Sequence, residues 1–81
     1  MKAEIYSKNH CPFCDKAKMV CEQRGFDYEY YQMGEDFSLE FIQFKFPNAK
    51  TFPQIIINDQ HVGGYHELEK WLAFNYPDED F

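Results

Sequence analysis

Two cysteines separated by two residues, Cys11 and Cys14, have the spacing of a redox-active or metal-binding pair. Two thiols at this spacing can close a small disulfide ring, and they can also bind one metal ion. The spacing alone leaves both kinds of chemistry open. The elements on either side of the pair determine how its sulfur atoms are presented.

The cysteine pair follows a predicted strand over residues 3–8 and begins a predicted helix. Pro12 suits the first helical position, because the amide hydrogen that proline lacks has no helical partner there. Good helix formers continue to Arg24, and Gly25 stands where a left-handed residue commonly ends a helix. One face of this helix is predicted to be buried and carries Cys14, Ala17 and Cys21.

The rest of the chain alternates between predicted strands and helices, which gives the order β-α-β-α-β-β-α. Three consecutive isoleucines, Ile55 to Ile57, are typical of a strand that is buried on both faces. The other predicted elements are a strand at 27–32, a helix around 37–46, a strand at 54–58, a turn at 58–60, a strand at 61–62 and a helix over 65–76 that Pro77 ends.

These elements predict an α/β protein with a four-stranded mixed sheet and helices on both faces. A helical connection makes the first two strands parallel, whereas the short turn makes the last two an antiparallel hairpin. We expect one domain over residues 1–81. Nine Phe, six Tyr and one Trp can supply the dense core that such a small domain needs.

Charge and composition exclude several classes of function. A formal net charge of −6 argues against a nucleic-acid-binding surface. No window approaches the roughly 20 apolar residues of a membrane span, and residues 1–10 lack the apolar run of a signal peptide. Three cysteines are too few for the disulfide framework of a secreted protein. We therefore expect a soluble, cytoplasmic protein that acts as a monomer.

Four motifs together cover nearly the whole chain in an order and approximate spacing that is similar to the glutaredoxins. They are Lys8, Cys11-Pro12-Phe13-Cys14, Thr51-Phe52-Pro53, and Gly63-Gly64 followed by Glu67-Leu68. The chain thus resembles a dithiol glutaredoxin. The resemblance implies the thioredoxin-like fold, glutathione as co-substrate and reductant, and exchange of thiols with disulfides as the activity.

Cys11 is the predicted nucleophile. At the N-cap of the helix, its sulfur would face unpaired N–H groups and the positive end of the helix dipole, and nearby Lys8 adds a positive charge. These surroundings favour a thiolate over a thiol. Cys14 lies one turn later on the buried face and is the predicted resolving thiol, which attacks Cys11 when a protein disulfide is the substrate.

The remaining cysteine and two histidines are interpreted as structural residues. Cys21 lies about 10 Å from Cys14 along the helix axis, too far for a disulfide, and is predicted to be a small core residue. His10 is interpreted as a loop histidine, although its place beside the nucleophile leaves a part in proton transfer open. His61 has no such neighbour and is interpreted as an ordinary strand residue.

The resemblance also implies contacts with glutathione. The peptide bond before Pro53 is expected to be cis, and the backbone of Phe52 to pair with the cysteine of glutathione. Lys8 should meet the glycyl carboxylate. Phe13 stands where the family frequently has Tyr, so the aromatic ring is kept and a hydroxyl is lost.

The double glycine precedes a predicted helix and is expected to leave backbone amides open to a carboxylate. By resemblance, the γ-glutamyl carboxylate of glutathione docks on the amides of Tyr65 and His66, next to Gly64. Relatives often have a small residue and then Asp at these two positions. The side-chain contact to the glutamyl amino group is therefore expected to be missing, which weakens binding.

Two alternative functions remain. The first is a glutaredoxin-like electron donor that thioredoxin reductase reduces. The altered Tyr65-His66 pair slightly favours this alternative, whereas Lys8 and the double glycine count against it. The second is a metal or iron–sulfur module that uses Cys11, Cys14 and His10. A closed zinc site needs four ligands, and Pro12 resembles the dithiol branch of the family, so no metal is expected. Expected partners are glutathione and disulfide-containing proteins, with ribonucleotide reductase as a family-level candidate.

Overall fold

The computed structural model describes residues 2–75, which contain four strands and three helices. The strands are β1 (Lys2–Ser7), β2 (Asp27–Gln32), β3 (Gln54–Ile57) and β4 (Gln60–Gly63), and the helices are α1 (Pro12–Gln23), α2 (Leu39–Lys45) and α3 (Tyr65–Asn75). The predicted order is confirmed. The predicted helix end at Tyr76 and the stop at Pro77 lie outside the described residues.

The sheet has the strand order β2-β1-β3-β4. As predicted, β1 pairs in parallel with β2, and β4 pairs antiparallel with β3. Strand β1 also pairs antiparallel with β3, which joins the two pairs into one mixed sheet. Tyr6 near the end of β1 pairs with Gln54 at the start of β3. The segment that leaves β1 and the segment that enters β3 therefore emerge at the same end of the sheet.

Both faces of the sheet are covered by helices. The core cluster on the α1 and α3 side consists of Ala3, Ile5, Ala17, Cys21, Ile55, Ile57, Leu68 and Leu72. On the α2 side a second cluster consists of Tyr6, Ile42, Phe46 and Ile56. Because neighbouring strand residues point to opposite faces, the consecutive isoleucines of β3 are divided between the two clusters. This explains why the strand reads as continuously apolar.

Several element ends differ from the predictions by one or two residues, including those of α2 and β4. Helix α2 is shorter than the predicted 37–46, because the Ser38 hydroxyl accepts a hydrogen bond from the Phe41 amide at 3.1 Å and caps the helix. Asn58 and Asp59 both have positive φ angles, +51° and +67°. They form a two-residue hairpin turn, so β4 begins at Gln60 and is longer than predicted.

Within residues 2–75, no helix is both long enough and apolar enough to cross a membrane.

Candidate active site

Cys11 is the N-cap of helix α1, as predicted. Its backbone is extended, with φ −123° and ψ 94°, and Pro12 begins the helix. The Cys11 Sγ accepts a hydrogen bond from the Cys14 amide at 3.2 Å. The sulfur therefore lies at the end of the helix where N–H groups and the helix dipole stabilise negative charge.

Cys11 and Cys14 form a disulfide, with their Cα atoms 5.2 Å apart. Cys14 is completely buried, whereas Cys11 is half-buried. A partner disulfide can therefore reach Cys11 more easily than Cys14. No group of three or more His, Cys, Asp or Glu side chains among residues 2–75 is arranged to hold a metal ion.

The loop of residues 51–53 lies at the same end of the sheet as the cysteine pair, since it leads directly into β3. The peptide bond between Phe52 and Pro53 is cis, as predicted. The Phe52 ring packs against Phe37, with a centroid distance of 6.4 Å, and the Nζ of Lys8 lies 5.6 Å from the centroid of the Phe52 ring. The structure thus brings Lys8 and this loop into contact.

Phe13 connects the cysteine pair to the start of helix α3. Its ring centroid lies 5.7 Å from that of Tyr65 and 5.3 Å from that of His66. The His66 Nδ1 is also 3.5 Å from a carboxylate oxygen of Glu69, one turn later. The N-terminus of α3 therefore faces the N-terminus of α1 across a small cluster of rings.

The double glycine allows three segments to approach one another closely. A Cβ atom on Gly64 would lie 3.1 Å from Glu67 Oε1 and 3.6 Å from the Pro53 carbonyl oxygen. Gly63 has a φ of +120°, which favours glycine, and a Cβ there would lie 3.1 Å from Glu67 side-chain carbons. The absence of a side chain at position 64 thus leaves space for both the Glu67 carboxylate and the Pro53 carbonyl beside the Gly64 backbone.

Glu67 is a site residue that the sequence did not single out for a role. Its Oε1 accepts a hydrogen bond from the Gly64 amide at 2.8 Å. That amide is therefore already bonded within the protein, unlike the open amide that was expected. A Glu three residues after an N-cap is the pattern of a capping box, which could have indicated this contact. The amides of Tyr65 and His66 belong to the first turn, where a helix supplies no acceptors of its own.

Cys21 lies in the core, as predicted. It is completely buried, and burial, together with the charge of Glu22, raises the pKa of its thiol to about 11. The thiol is therefore protonated at neutral pH and inaccessible to a partner disulfide.

A family model described as Glutaredoxin matches residues 3–62. Glutaredoxin 1 of Escherichia coli K12 is 32% identical over 82 residues, which cover 93% of this chain and 96% of that protein. The chain belongs to the glutaredoxin family. A solved structure of reduced E. coli glutaredoxin superposes with a TM-score of 0.81 at 30% identity, covering 96% of this chain and 100% of that one. The thioredoxin-like fold is thereby confirmed.

A longer relative contains a region similar to this chain. Hybrid peroxiredoxin hyPrx5 of Haemophilus influenzae is 35% identical over 69 residues, which cover 85% of this chain and 28% of that protein. This chain thus spans little more than a quarter of that relative. Family membership and the Cys11–Cys14 pair together support a thiol–disulfide oxidoreductase.

Proposed function

We propose that the protein is a glutathione-dependent oxidoreductase that reduces protein–glutathione mixed disulfides and protein disulfides. The observation that carries the proposal is the N-cap position of Cys11, whose Sγ accepts a hydrogen bond from the Cys14 amide at 3.2 Å. A thiolate is the attacking species in disulfide exchange, and a helix N-terminus stabilises it. Cys11 is also only half-buried, which leaves the residue accessible to a substrate.

The first step is attack of the Cys11 thiolate on one sulfur of the substrate disulfide. A new S–S bond forms between Cys11 and the substrate while the old S–S bond breaks, and the departing thiolate takes up a proton from solvent. When the substrate is a protein–glutathione mixed disulfide, Cys11 retains the glutathione and the protein leaves as a thiol. No oxidant or reductant beyond the Cys11 thiolate and the substrate disulfide is needed.

The second step depends on the substrate. A second glutathione thiolate attacks the Cys11–glutathione bond, which releases glutathione disulfide and restores Cys11. When Cys11 is instead bonded to a protein, the Cys14 thiolate attacks Cys11 and releases the protein as a thiol. The Cα separation of 5.2 Å is suitable for the resulting Cys11–Cys14 disulfide, which two glutathione molecules then reduce.

The site supports binding of glutathione in an extended conformation. In this proposal, Lys8 pairs with the glycyl carboxylate. The backbone of Phe52, next to the cis bond before Pro53, pairs with the cysteine of glutathione. The Lys8 Nζ lies 5.6 Å from the centroid of the Phe52 ring. This contact supports the proposal that both residues bind the same glutathione molecule.

The other end of glutathione lies at the start of helix α3. The first-turn amides of Tyr65 and His66 would bind the γ-glutamyl carboxylate, as helix N-termini commonly bind anions. The Glu67 carboxylate, in the same turn, offers the negative charge for the glutamyl amino group that His66 does not supply. Gly64 leaves space beside its backbone for both the Glu67 carboxylate and the Pro53 carbonyl. The Phe13 ring lies beside the Tyr65 and His66 rings at this end of the site.

An assay coupled to glutathione reductase tests this proposal. A peptide–glutathione mixed disulfide should be reduced with glutathione as the electron source, and much more slowly when thioredoxin reductase replaces glutathione and its reductase. Lys8→Gln should raise the KM for the mixed disulfide about tenfold, because a charged hydrogen bond to the glycyl carboxylate is lost.

The matched control is Lys18→Gln, which makes the same charge change on helix α1 where the lysine Nζ lies over Tyr30. Its KM should equal that of the wild type. Absence of mixed-disulfide reduction by the wild type would refute glutathione dependence, and faster turnover with thioredoxin reductase would favour the alternative electron donor.

For protein substrates, we propose disulfide-containing proteins, with ribonucleotide reductase as the candidate that the family resemblance names. We also propose that the protein is a monomer in the cytoplasm and that glutathione in this compartment supplies the electrons. Reduction of the ribonucleotide reductase disulfide by the purified protein and glutathione would test the substrate directly.

A further inference from the structure

Gln54 is a buried polar residue beside the loop of residues 51–53. It is 4% exposed at the start of β3, directly after Pro53. Its Nε2 donates a hydrogen bond to the Thr51 carbonyl oxygen at 2.7 Å. The side chain therefore fixes the carbonyl at the beginning of the loop from inside the protein.

The opposite end of the Gln54 amide contacts His61 on the edge strand β4. The His61 Nε2 lies 2.8 Å from the Gln54 Oε1. The His61 ring also stacks on Phe46, with centroids 4.1 Å apart and planes inclined by 26°. The ring is thus held in position by one hydrogen bond and one aromatic contact.

The direction of these hydrogen bonds follows from the Thr51 carbonyl, which can only accept. The Gln54 NH₂ group must face it, so the Gln54 Oε1 faces His61 and the His61 Nε2 must carry a hydrogen. Partial burial, followed by the charge of Lys45, lowers the pKa of His61, which favours the neutral ring. A continuous chain of donors therefore runs from His61 through Gln54 to Thr51.

We propose that His61 and Gln54 are positioning residues that fix the loop of residues 51–53 in the geometry that binds glutathione. The inference rests on the proposed function, in which the Phe52 backbone pairs with glutathione. Thr51 and Phe52 lie outside the strands and helices, so strand pairing does not hold them. The hydrogen bonds from His61 to Gln54 and from Gln54 to Thr51 fix this segment instead. Truncation of either positioning residue should weaken substrate binding without removing the reacting thiols.

His61→Phe is the most informative variant, because it keeps a ring to stack on Phe46 and removes the Nε2 donor to Gln54. Loss of one neutral hydrogen bond should raise the KM for a peptide–glutathione mixed disulfide about fivefold, with kcat within about twofold of the wild type. Gln54→Leu should raise the KM at least as much. The matched control is Gln60→Ala, which removes a polar side chain from the adjacent position of β4.

A second measurement reports on the conformation of the loop directly and does not require glutathione. The Thr51 carbonyl ¹³C chemical shift should change in His61→Phe and stay at its wild-type value in Gln60→Ala. If wild-type protein does not reduce the mixed disulfide, the proposed function is wrong, and the carbonyl shift alone then decides whether His61 positions the loop. If the wild type is active but His61→Phe has an unchanged KM or an unchanged Thr51 shift, the positioning role is wrong.

Discussion

The two ends of helix α1 present the same functional group in opposite environments. Cys11 caps the N-terminus, is half-buried and accepts a hydrogen bond from a helix amide. Cys21 lies near the other end, is completely buried, and has a pKa raised to about 11. We infer that the position of a cysteine on the helix determines its chemistry here, since the residue type is the same.

Cys14 separates the effect of burial on a cysteine from the effect of a neighbouring sulfur atom. It is as buried as Cys21, yet it is bonded to Cys11 across one helical turn. Burial thus prevents a cysteine from meeting a substrate, but it does not prevent reaction with a neighbouring sulfur. We infer that access selects the nucleophile and that proximity selects the resolving thiol.

The largest predicted effect comes from Cys11→Ser. A serine hydroxyl is not ionised at neutral pH, so both reduction of glutathione mixed disulfides and reduction of protein disulfides should fall by about 10³-fold or more. The rates are measured with the coupled assay on both substrates. Retained activity with either substrate would mean that Cys14 or Cys21 can attack a substrate disulfide directly. The proposed difference in reactivity between the two ends of α1 would then be wrong.

Cys14→Ser should have a smaller and selective effect. Reduction of a protein disulfide should fall about 100-fold, because the mixed disulfide with Cys11 is no longer resolved from within the protein. Reduction of a glutathione mixed disulfide should remain within about twofold of the wild type, since a second glutathione resolves that intermediate. Equal losses on both substrates would contradict the division of roles between the two cysteines.

Much of the fold could be predicted from local patterns. The isoleucine run, the helical stripe of Cys14, Ala17 and Cys21, and the glycine at position 25 each indicated an element that the structure contains. The ends of elements were less predictable, because they depend on single hydrogen bonds and turn angles. The Ser38 cap shortens α2, and the positive φ angles of Asn58 and Asp59 lengthen β4.

The cysteine pair could be anticipated from a motif that is contiguous in sequence, whereas the cis bond before Pro53 was expected only from the resemblance to the glutaredoxins. The contacts of Glu67 with Gly64 and of Gln54 with His61 were not anticipated. Polar residues at strand and helix positions are typical of exposed surface, and only the fold shows that Gln54 is buried between two partners. The contact of Gln54 with His61 depends on how strands β3 and β4 pair, whereas the contact of Glu67 with Gly64 is local to the start of α3.

The smallest effect on activity, and the most direct test of the buried end of α1, comes from Cys21. Burial raises the pKa of its thiol from the usual value of 9.0 to about 11. The folded protein therefore binds this proton more tightly than the unfolded chain does. The resulting stabilisation is fully present below pH 9 and is lost as the pH rises through 11.

Cys21→Ala removes this titration, so its free energy of unfolding should fall less than that of the wild type between pH 8 and pH 11, by about 2 kcal/mol. Denaturant unfolding of both reduced proteins at the two pH values measures the difference. Tyrosine ionisation contributes to both proteins and cancels in the comparison, except at Tyr28, where the charge of Cys21 is the smallest of the causes that raise the pKa. Activity at pH 7 should stay within about twofold of the wild type. If the free energies of unfolding of the two proteins instead changed in parallel with pH, the Cys21 thiol would ionise as readily in the core as in water. That result would refute the effect of complete burial on its pKa.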